Sequence, residues 1–173
     1  MIEDWRPGSS ADLDQLATVL HAAVHAGASV SFVLPFSLDE ARAFWRDQVL
    51  PRVVSGTRRV LIARVDGRIA GTVQLDLATP PNQRHRAEVL KLLVHPDARR
   101  SGIARALMVA IEDVARAEGR TLLTLDTRTG DVAEPLYRSL AYIAAGVIPG
   151  YALAPDGGSL DATTIMYKTI LAP

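Results

Sequence analysis

From Glu88 to Met108 the chain reads EVLKLLVHPDARRSGIARALM, and this stretch decides the fold. Val89, Leu90, Leu92, Leu93 and Val94 form a nearly continuous apolar run, the pattern of a strand covered on both faces. Pro96 ends it. The loop Ala98-Arg99-Arg100-Ser101-Gly102 is small and basic, and beyond it Ile103, Leu107, Ala110 or Ile111, and Val114 return at the spacing of one helical face. A strand therefore passes through a glycine loop into a helix. The first N–H groups of such a helix have no partner within it and lie at the positive end of its dipole, so the turn seats an anion. Gly102 leaves the approach clear, while Arg99 and Arg100 carry charge suited to phosphate oxygens. The ligand expected across this loop is a pyrophosphate.

The loop has neither the Gly-Lys-Ser/Thr of a P-loop nor the Gly-x-Gly-x-x-Gly of a dinucleotide fold. Its Arg99-x-x-Gly102-x-Ala104 instead resembles the Arg/Gln-x-x-Gly-x-Gly/Ala signature of the GCN5-related N-acetyltransferases (GNAT). In that family the loop binds the pyrophosphate of acetyl-coenzyme A. The resemblance implies acetyl-CoA as cosubstrate and no metal. Leu92, Leu93 and Val94 would face its pantetheine arm, and Arg99, Arg100, Ser101, Gly102, Ile103 and Ala104 its pyrophosphate.

Composition narrows the alternatives. At 173 residues the chain is expected to be one domain, residues 1–173, able to bury a core without disulfides or metal. Its 19 basic and 19 acidic residues give no overall field favouring nucleic acid or an anionic membrane. The absence of cysteine excludes a thiol nucleophile, a disulfide framework and a Cys-ligated metal site. The opening MIEDWRPGSS has no apolar secretory core and no run is long enough to cross a bilayer, so a cytoplasmic protein is expected.

Around the central stretch the elements follow from local signals. Residues 2–6 suit a short edge strand before Pro7-Gly8, and Ser9-x-x-Asp12 reads as a capping box opening a helix to about Ala26. His21 and His25 have metal-ligand spacing but no third ligand, and read as ordinary helix residues. The apolar segment 27–36 lines a substrate pocket or packs on the core as a lid. Ser37-x-x-Glu40 opens a second helix to about Val54, shortened or kinked at Pro51. Val60–Val65 and Ile69–Leu77 flank Asp66-Gly67, a hairpin signal. Residues 78–85, with Arg84, His85 and Arg86 adjoining, form a basic loop, read first as a solvated turn. The central helix ends near Gly119; Thr121–Thr127 is a strand, Val132–Leu140 a short helix, and Tyr142–Ile148 and Thr163–Ile170 two late strands.

This order specifies an α+β (mixed α/β) fold in which strands 87–94 and 121–127, joined by a helix, run parallel. The GNAT fold that the resemblance implies has a mostly antiparallel sheet whose parallel pair splays, with the acyl-pantetheine arm in the gap. Direct acetyl transfer then needs a proton removed from an amine and one returned to the departing thiolate. Glu88 at the start of one strand, Asp126 at the end of the other and Tyr137 on the next helix are placed for those roles. Each also has a plain structural reading: Glu88 paired with Lys91 or Arg86, Asp126 a strand-end cap, Tyr137 a core aromatic. Lys91, a cation in an apolar strand, is expected to meet a carboxylate.

Leu136-Tyr137-x-x-Leu140-Ala141-Tyr142 resembles the family's Phe/Leu-Tyr-x-x-x-Gly-Phe element, whose tyrosine protonates the coenzyme sulfur; Ala141 stands where glycine is usual. Segments such as Arg86-Ala87-Glu88-Val89-x-Lys91-Leu92, Leu125-Asp126-Thr127 and Pro149-Gly150-Tyr151 are similar to a branch of the family that inactivates a β-lactam amino-acid toxin. By that likeness the active-site trio falls on Glu88, Asp126 and Tyr137. The implied acceptor is a small-molecule amine, an amino acid or amino-acid-like toxin, with Arg128 or Arg86 binding any substrate carboxylate. A protein or peptide acceptor is the rival, and a non-catalytic acetyl-CoA-binding module the alternative outside enzymes. A homodimer through the late strands is expected, with no nucleic-acid or membrane partner.

Overall fold

The computed structural model describes residues 1–171. Strands β1 (Ile2–Asp4), β2 (Arg58–Val65), β3 (Arg68–Asp76), β4 (Arg86–Val94), β5 (Leu122–Arg128), β6 (Ile143–Leu153) and β7 (Leu160–Thr169) form one sheet in the order β1-β2-β3-β4-β5-β7-β6. Every neighbouring pair is antiparallel except β4 and β5, which are parallel. The alternation of β2 and β3 sorts their apolar side chains between two cores. Leu61, Ala63, Val73 and Leu75 pack under α4 (Ile103–Ala117), whereas Val60, Ile62 and Ile69 pack under α1 (Ser10–His25) and α2 (Leu38–Ala43). The sheet is thus sandwiched, with α5 (Ala133–Ser139) beside β5 on the α4 side.

The local signals that set these boundaries are visible in the backbone. Asp66 (φ 48°) and Gly67 (φ 76°) both take left-handed conformations, the turn whose twist matches a two-residue hairpin. At α2 the capping box is complete: Glu40 N–H donates to Ser37 Oγ at 3.2 Å, and Ser37 N–H to Glu40 Oε2 at 2.7 Å. At α1 only half forms. Asp12 N–H donates to Ser9 Oγ at 3.3 Å, but the shorter Asp12 side chain turns to Arg64 at 2.8 Å instead of reaching back. Pro51 neither stops nor breaks the second helix. A π-helical turn over Phe44–Val49, with Leu50 N–H on Trp45 O, precedes α3 (Leu50–Val54) and widens the helix where the proline ring and its missing N–H would disrupt a regular turn.

Two expectations need correction, and one buried contact lies outside them. β4 is not covered on both faces: Ala87, Val89 and Leu93 are buried, but Leu90, Leu92 and Val94 are only half-buried, because the sheet opens beside them. The late strands are longer than their apolar runs, since β6 continues through Pro149-Gly150 to Leu153 by shifting register against β7. Finally, Glu112 on α4 is a buried carboxylate, 5% exposed, gripped by Lys168 Nζ at 2.8 and 2.6 Å and approached by Arg116. It pins the helix to β7, and helical spacing alone marks its position only as a flank of the apolar stripe.

Ala141 ends α5 with φ 65°, so the chain makes the glycine-type turn without glycine. A left-handed L-residue costs about 1–2 kcal/mol. Ala141→Gly is expected to raise unfolding stability by about 1 kcal/mol, net of the extra entropy of an unfolded glycine, as read by urea denaturation; an unchanged or lower midpoint would mean that the turn is not strained.

Candidate active site

The parallel ladder is short. Arg86, Ala87 and Glu88 pair with Leu122, Leu123 and Thr124, and beyond Glu88 the two strands part. Main-chain groups that a continuous ladder would satisfy are left facing the gap. Two features flank it. Between the Gln74–Leu90 and Thr72–Leu93 pairs β4 carries one more residue than β3, a bulge centred on Lys91 with φ 50°. At the other end of the gap, α4 lies close to the sheet because β3 has no side chain at Gly71. A Cβ there would stand 2.9 Å from both Ile103 Cγ2 and Leu93 O.

The bulge also resets which way β4 faces. Ala87 and Val89 belong to the α4-side core, yet Leu93, also odd-numbered, belongs to the α1-side core. Glu88 and Lys91, which three-residue spacing would put on opposite faces, therefore both look toward α1. Leu123 and Leu125 face α4, so Asp126 points to that same α1 side, whereas Tyr137 approaches from the α4 side. The structure brings Glu88, Asp126 and Tyr137 to one gap, the carboxylates on one side and the phenol on the other.

Each group is tuned by its surroundings. Burial pushes the Glu88 carboxyl above its usual value, with Arg86 pulling it down and Asp126 and Asp76 pushing it further up. Glu88 does pair with Arg86, but loosely: the ion pair is 3.9 Å long, and Arg86 Nη1 donates to Thr124 Oγ1 at 3.0 Å while its other nitrogens donate to Gln83 Oε1. Asp126 is not a strand-end cap, since β5 runs on to Arg128. It is exposed, and Oδ2 accepts from Thr163 Oγ at 3.3 Å. Tyr137 is 7% exposed, its ring centroid 5.9 Å from that of Tyr142. Burial, then the charges of Asp126 and Asp131, hold its phenol well above the ordinary range, so at neutral pH it remains a hydrogen-bond donor.

Lys91 contradicts its expectation. Among the described residues no carboxylate lies within 4.0 Å of it; Nζ donates to Ser31 Oγ at 2.8 Å and sits 5.7 Å from the Phe32 ring centroid. Burial lowers its pKa to about 8 despite Asp126 and Glu88 acting from farther off. Ser31 and Phe32 belong to the segment between α1 and α2, which is held by Phe32 on Phe36 and Phe44 and by Leu34 N–H on Pro155 O at 2.7 Å. The segment thus packs on the core and lines the gap at once. His25 Nε2 donates to Phe36 O at 2.8 Å, anchoring its far end beside His21.

The anion loop has the form its sequence implied. Arg100 (φ 62°) and Gly102 (φ 84°) are left-handed, and α4 begins with no side-chain cap, its first internal bond being Ala106 N–H to Gly102 O. The earlier N–H groups of the turn, from Gly102 to Arg105, have no helical partner. Arg99 and Arg100 are exposed and enter no ion pair among the described residues, unlike Arg86 and Arg128. An uncapped helix start, two uncommitted guanidiniums and a glycine fit a diphosphate, and the gap beside them fits an extended arm.

The family model described as Acetyltransferase (GNAT) family matches residues 22–142. An uncharacterized N-acetyltransferase in the hisH-hisA intergenic region of Azospirillum brasilense is 35% identical over 126 residues, 72% of this chain and 73% of that protein. The IAA acetyltransferase of the same organism is 34% identical over 59% of this chain and 64% of its own. The fold is that of yncA from Salmonella typhimurium, solved with its cofactor acetyl-CoA (TM-score 0.79, 19% identity, 100% of this chain and 95% of that one). It is also that of a ribosomal-protein-alanine N-acetyltransferase from Brucella melitensis (TM-score 0.77, 23% identity, 98% and 99%).

Gly71, which carries no sequence signal of its own, is then the residue that seats the loop. Gly71→Ala must lift the first turn of α4 away from β3, and overpacking of this kind costs about 1–3 kcal/mol. Calorimetry is expected to show acetyl-CoA binding weakened about tenfold in a variant that still melts cooperatively; wild-type affinity would mean that the loop is positioned by something other than this close approach.

Proposed function

The chain belongs to the GNAT family of acetyltransferases, and from that premise we propose that it moves the acetyl group of acetyl-CoA directly to the amine of a small molecule in the cytoplasm, the acceptor being an amino acid or an amino-acid-like toxin. The observation that carries the reading is the placement of Glu88 and Asp126 on one side of the strand gap and Tyr137 on the other. Bound acetyl-CoA supplies an activated thioester, so the protein has only to position and to move protons.

In this reading the N–H groups around Gly102, with Arg99 and Arg100, hold the diphosphate, and the open edge of Leu92–Val94 takes the pantetheine arm. Two carboxylates attract an ammonium acceptor, and Glu88, raised by burial, accepts its proton directly or through one water. Once ionised it lies on the α1 side, where the amine arrives. Tyr137, kept protonated, donates from the α4 side to the sulfur as the C–S bond breaks. Base and acid are thus separated by the bond being exchanged, which prevents them from neutralising each other.

Small acceptors are favoured over protein ones by the bond between Leu34 N–H and Pro155 O, which closes the α1–α2 segment onto the β6–β7 loop and narrows the acceptor side. The likeness of several segments to the tabtoxin resistance protein extends the reading to inactivation of a toxin. A homodimer is supported by β6, an edge strand with Val147, Ile148, Tyr151 and Leu153 all exposed, a surface that an isolated protomer would present to aggregation.

Release of free CoA, assayed over a panel of amines and β-lactam amino acids, is expected for at least one small acceptor. Glu88→Gln or Asp126→Asn should lower kcat/KM about 10²–10⁴-fold, and Tyr137→Phe should lower kcat with little change in KM. Because the Glu88 carboxyl is raised and must be ionised to act, activity should fall toward acid with an inflection above the ordinary glutamate value, and Glu88→Gln should lose that inflection. Turnover that survives in the Glu88→Gln, Asp126→Asn, Tyr137→Phe triple variant would overturn these roles. For assembly, sedimentation should report a dimer that Ile148→Asp converts to monomer; a monomeric wild type at micromolar concentration would remove the dimer.

A further inference from the structure

We infer that Lys91, with Ser31 and Phe32, forms the subsite for the carboxylate of a zwitterionic acceptor, so that the enzyme selects α-amino acids over amines lacking an acid group. The inference rests on the proposed reading of the gap as an acetyl-transfer site and names the class of its acceptor.

Four observations carry it. First, the two arginines that the sequence nominates for an acid group are already committed. Arg86 is held by Gln83 and Thr124, and Arg128 by Asp131 at 3.0 Å and Asp161 at 3.6 Å. Second, Arg58 is sealed under the sheet by Gln74 and Asp76. Lys91 is therefore the cation of this side of the gap that has no ionic partner among the described residues. Of its three donors one goes to Ser31 Oγ, leaving two for a ligand. Third, a left-handed backbone at a non-glycine residue is what turns this lysine to the α1 side, alongside Glu88. In an unbulged strand it would point toward α4. Fourth, the Phe32 ring shields one flank of the ammonium from water and is itself fixed between Phe36 and Phe44. An anion meeting this cation therefore meets it partly desolvated, where a charge-assisted hydrogen bond gains most.

The charges are arranged as a zwitterion requires. Glu88 and Asp126 face the ammonium end, and Lys91 faces the acid end; Lys91 feels both carboxylates, and Glu88 feels Asp126, without an ion pair between Lys91 and either. Such spacing also keeps the carboxylates free: a lysine in direct contact with Glu88 would hold it ionised but compete with the incoming amine for it. Ser31 orients Nζ toward the α1–α2 segment and away from the carboxylates.

Two readouts test the subsite. L-amino acids are assayed as acceptors beside their carboxamides, and N-acetyl-L-amino acids beside their carboxamides are titrated calorimetrically into the enzyme–CoA complex. Wild-type enzyme is expected to favour the free acid at least about tenfold in both, through KM in the kinetic assay. Lys91→Gln should bring the ratio near one while binding acetyl-CoA within about twofold of wild type, which reports an intact fold. Lys91→Arg, which keeps the charge, should retain part of the preference. A ratio near one in wild type, or one unchanged by Lys91→Gln, overturns the inference. Acetylation of amines without regard to an acid group leaves the proposed function standing and removes only this subsite. Lys91-dependent binding of the acids without any turnover does the reverse, and neither binding nor turnover removes both.

Discussion

The structure depends on one interruption: β4 and β5 begin as a parallel pair and cease to be one after Glu88 and Thr124. A parallel pair needs a crossover, and α4 provides it, so the helix start is delivered to the end of β4 by topology alone. The parting has a cost in unpaired backbone, which stands open to an extended ligand running between the strands. It persists because both margins are fixed from outside the gap. β4 is kept by its ladder to β3, bulge included, and β5 by its uninterrupted seven-residue pairing with β7. The buried Glu112–Lys168 pair then ties α4 to β7, the neighbour of the second strand.

What could be read from residues alone follows a physical division. Elements whose identity rests on local chemistry were legible: the Asp66-Gly67 hairpin, the Ser37–Glu40 cap, the strand-loop-helix at 88–108. The parallel pairing that sets Glu88 and Asp126 on neighbouring strands was legible too, because a helix joining two strands leaves little choice of arrangement. Features that arise from contact between distant segments were not legible. Gly71 looks like any strand glycine until α4 is laid across it. Glu112 has nothing in its helix to mark it as buried until Lys168, 56 residues later, is seen beside it. The full apolar run of β4 suggested two covered faces, whereas half of those residues border the gap.

Lys91 is the instructive case. An apolar strand containing one lysine calls for a counter-ion, and the sequence places Glu88 three residues away. Strand periodicity would have sent the two to opposite faces, and a salt bridge to either carboxylate would have been the ordinary resolution. The bulge reverses the face without making the pair. The ammonium is left against a hydroxyl and an aromatic ring, with a pKa lowered to about 8 by burial. A cation in that condition, without a counter-ion among the described residues, is what the proposed carboxylate subsite rests on.

The two halves of the cleft are built from different materials, and this explains why the fold is shared so much more widely than the sequence. The donor half is main chain: helix N–H groups, open strand edges and a close approach that requires only the absence of a side chain at Gly71. Main-chain groups are the same whatever residues carry them, so this half tolerates extensive substitution while the geometry stays put. In the proposed reading the acceptor half is side chain: Glu88 and Asp126 for the amine, and at the opposite end Lys91 of β4 with Ser31 and Phe32, whose segment is fastened to the β6–β7 loop. Every one of those contacts changes when a residue changes. If that reading holds, acceptor choice resides in the α1–α2 segment and the bulge, where a changed residue alters the contacts without moving the backbone.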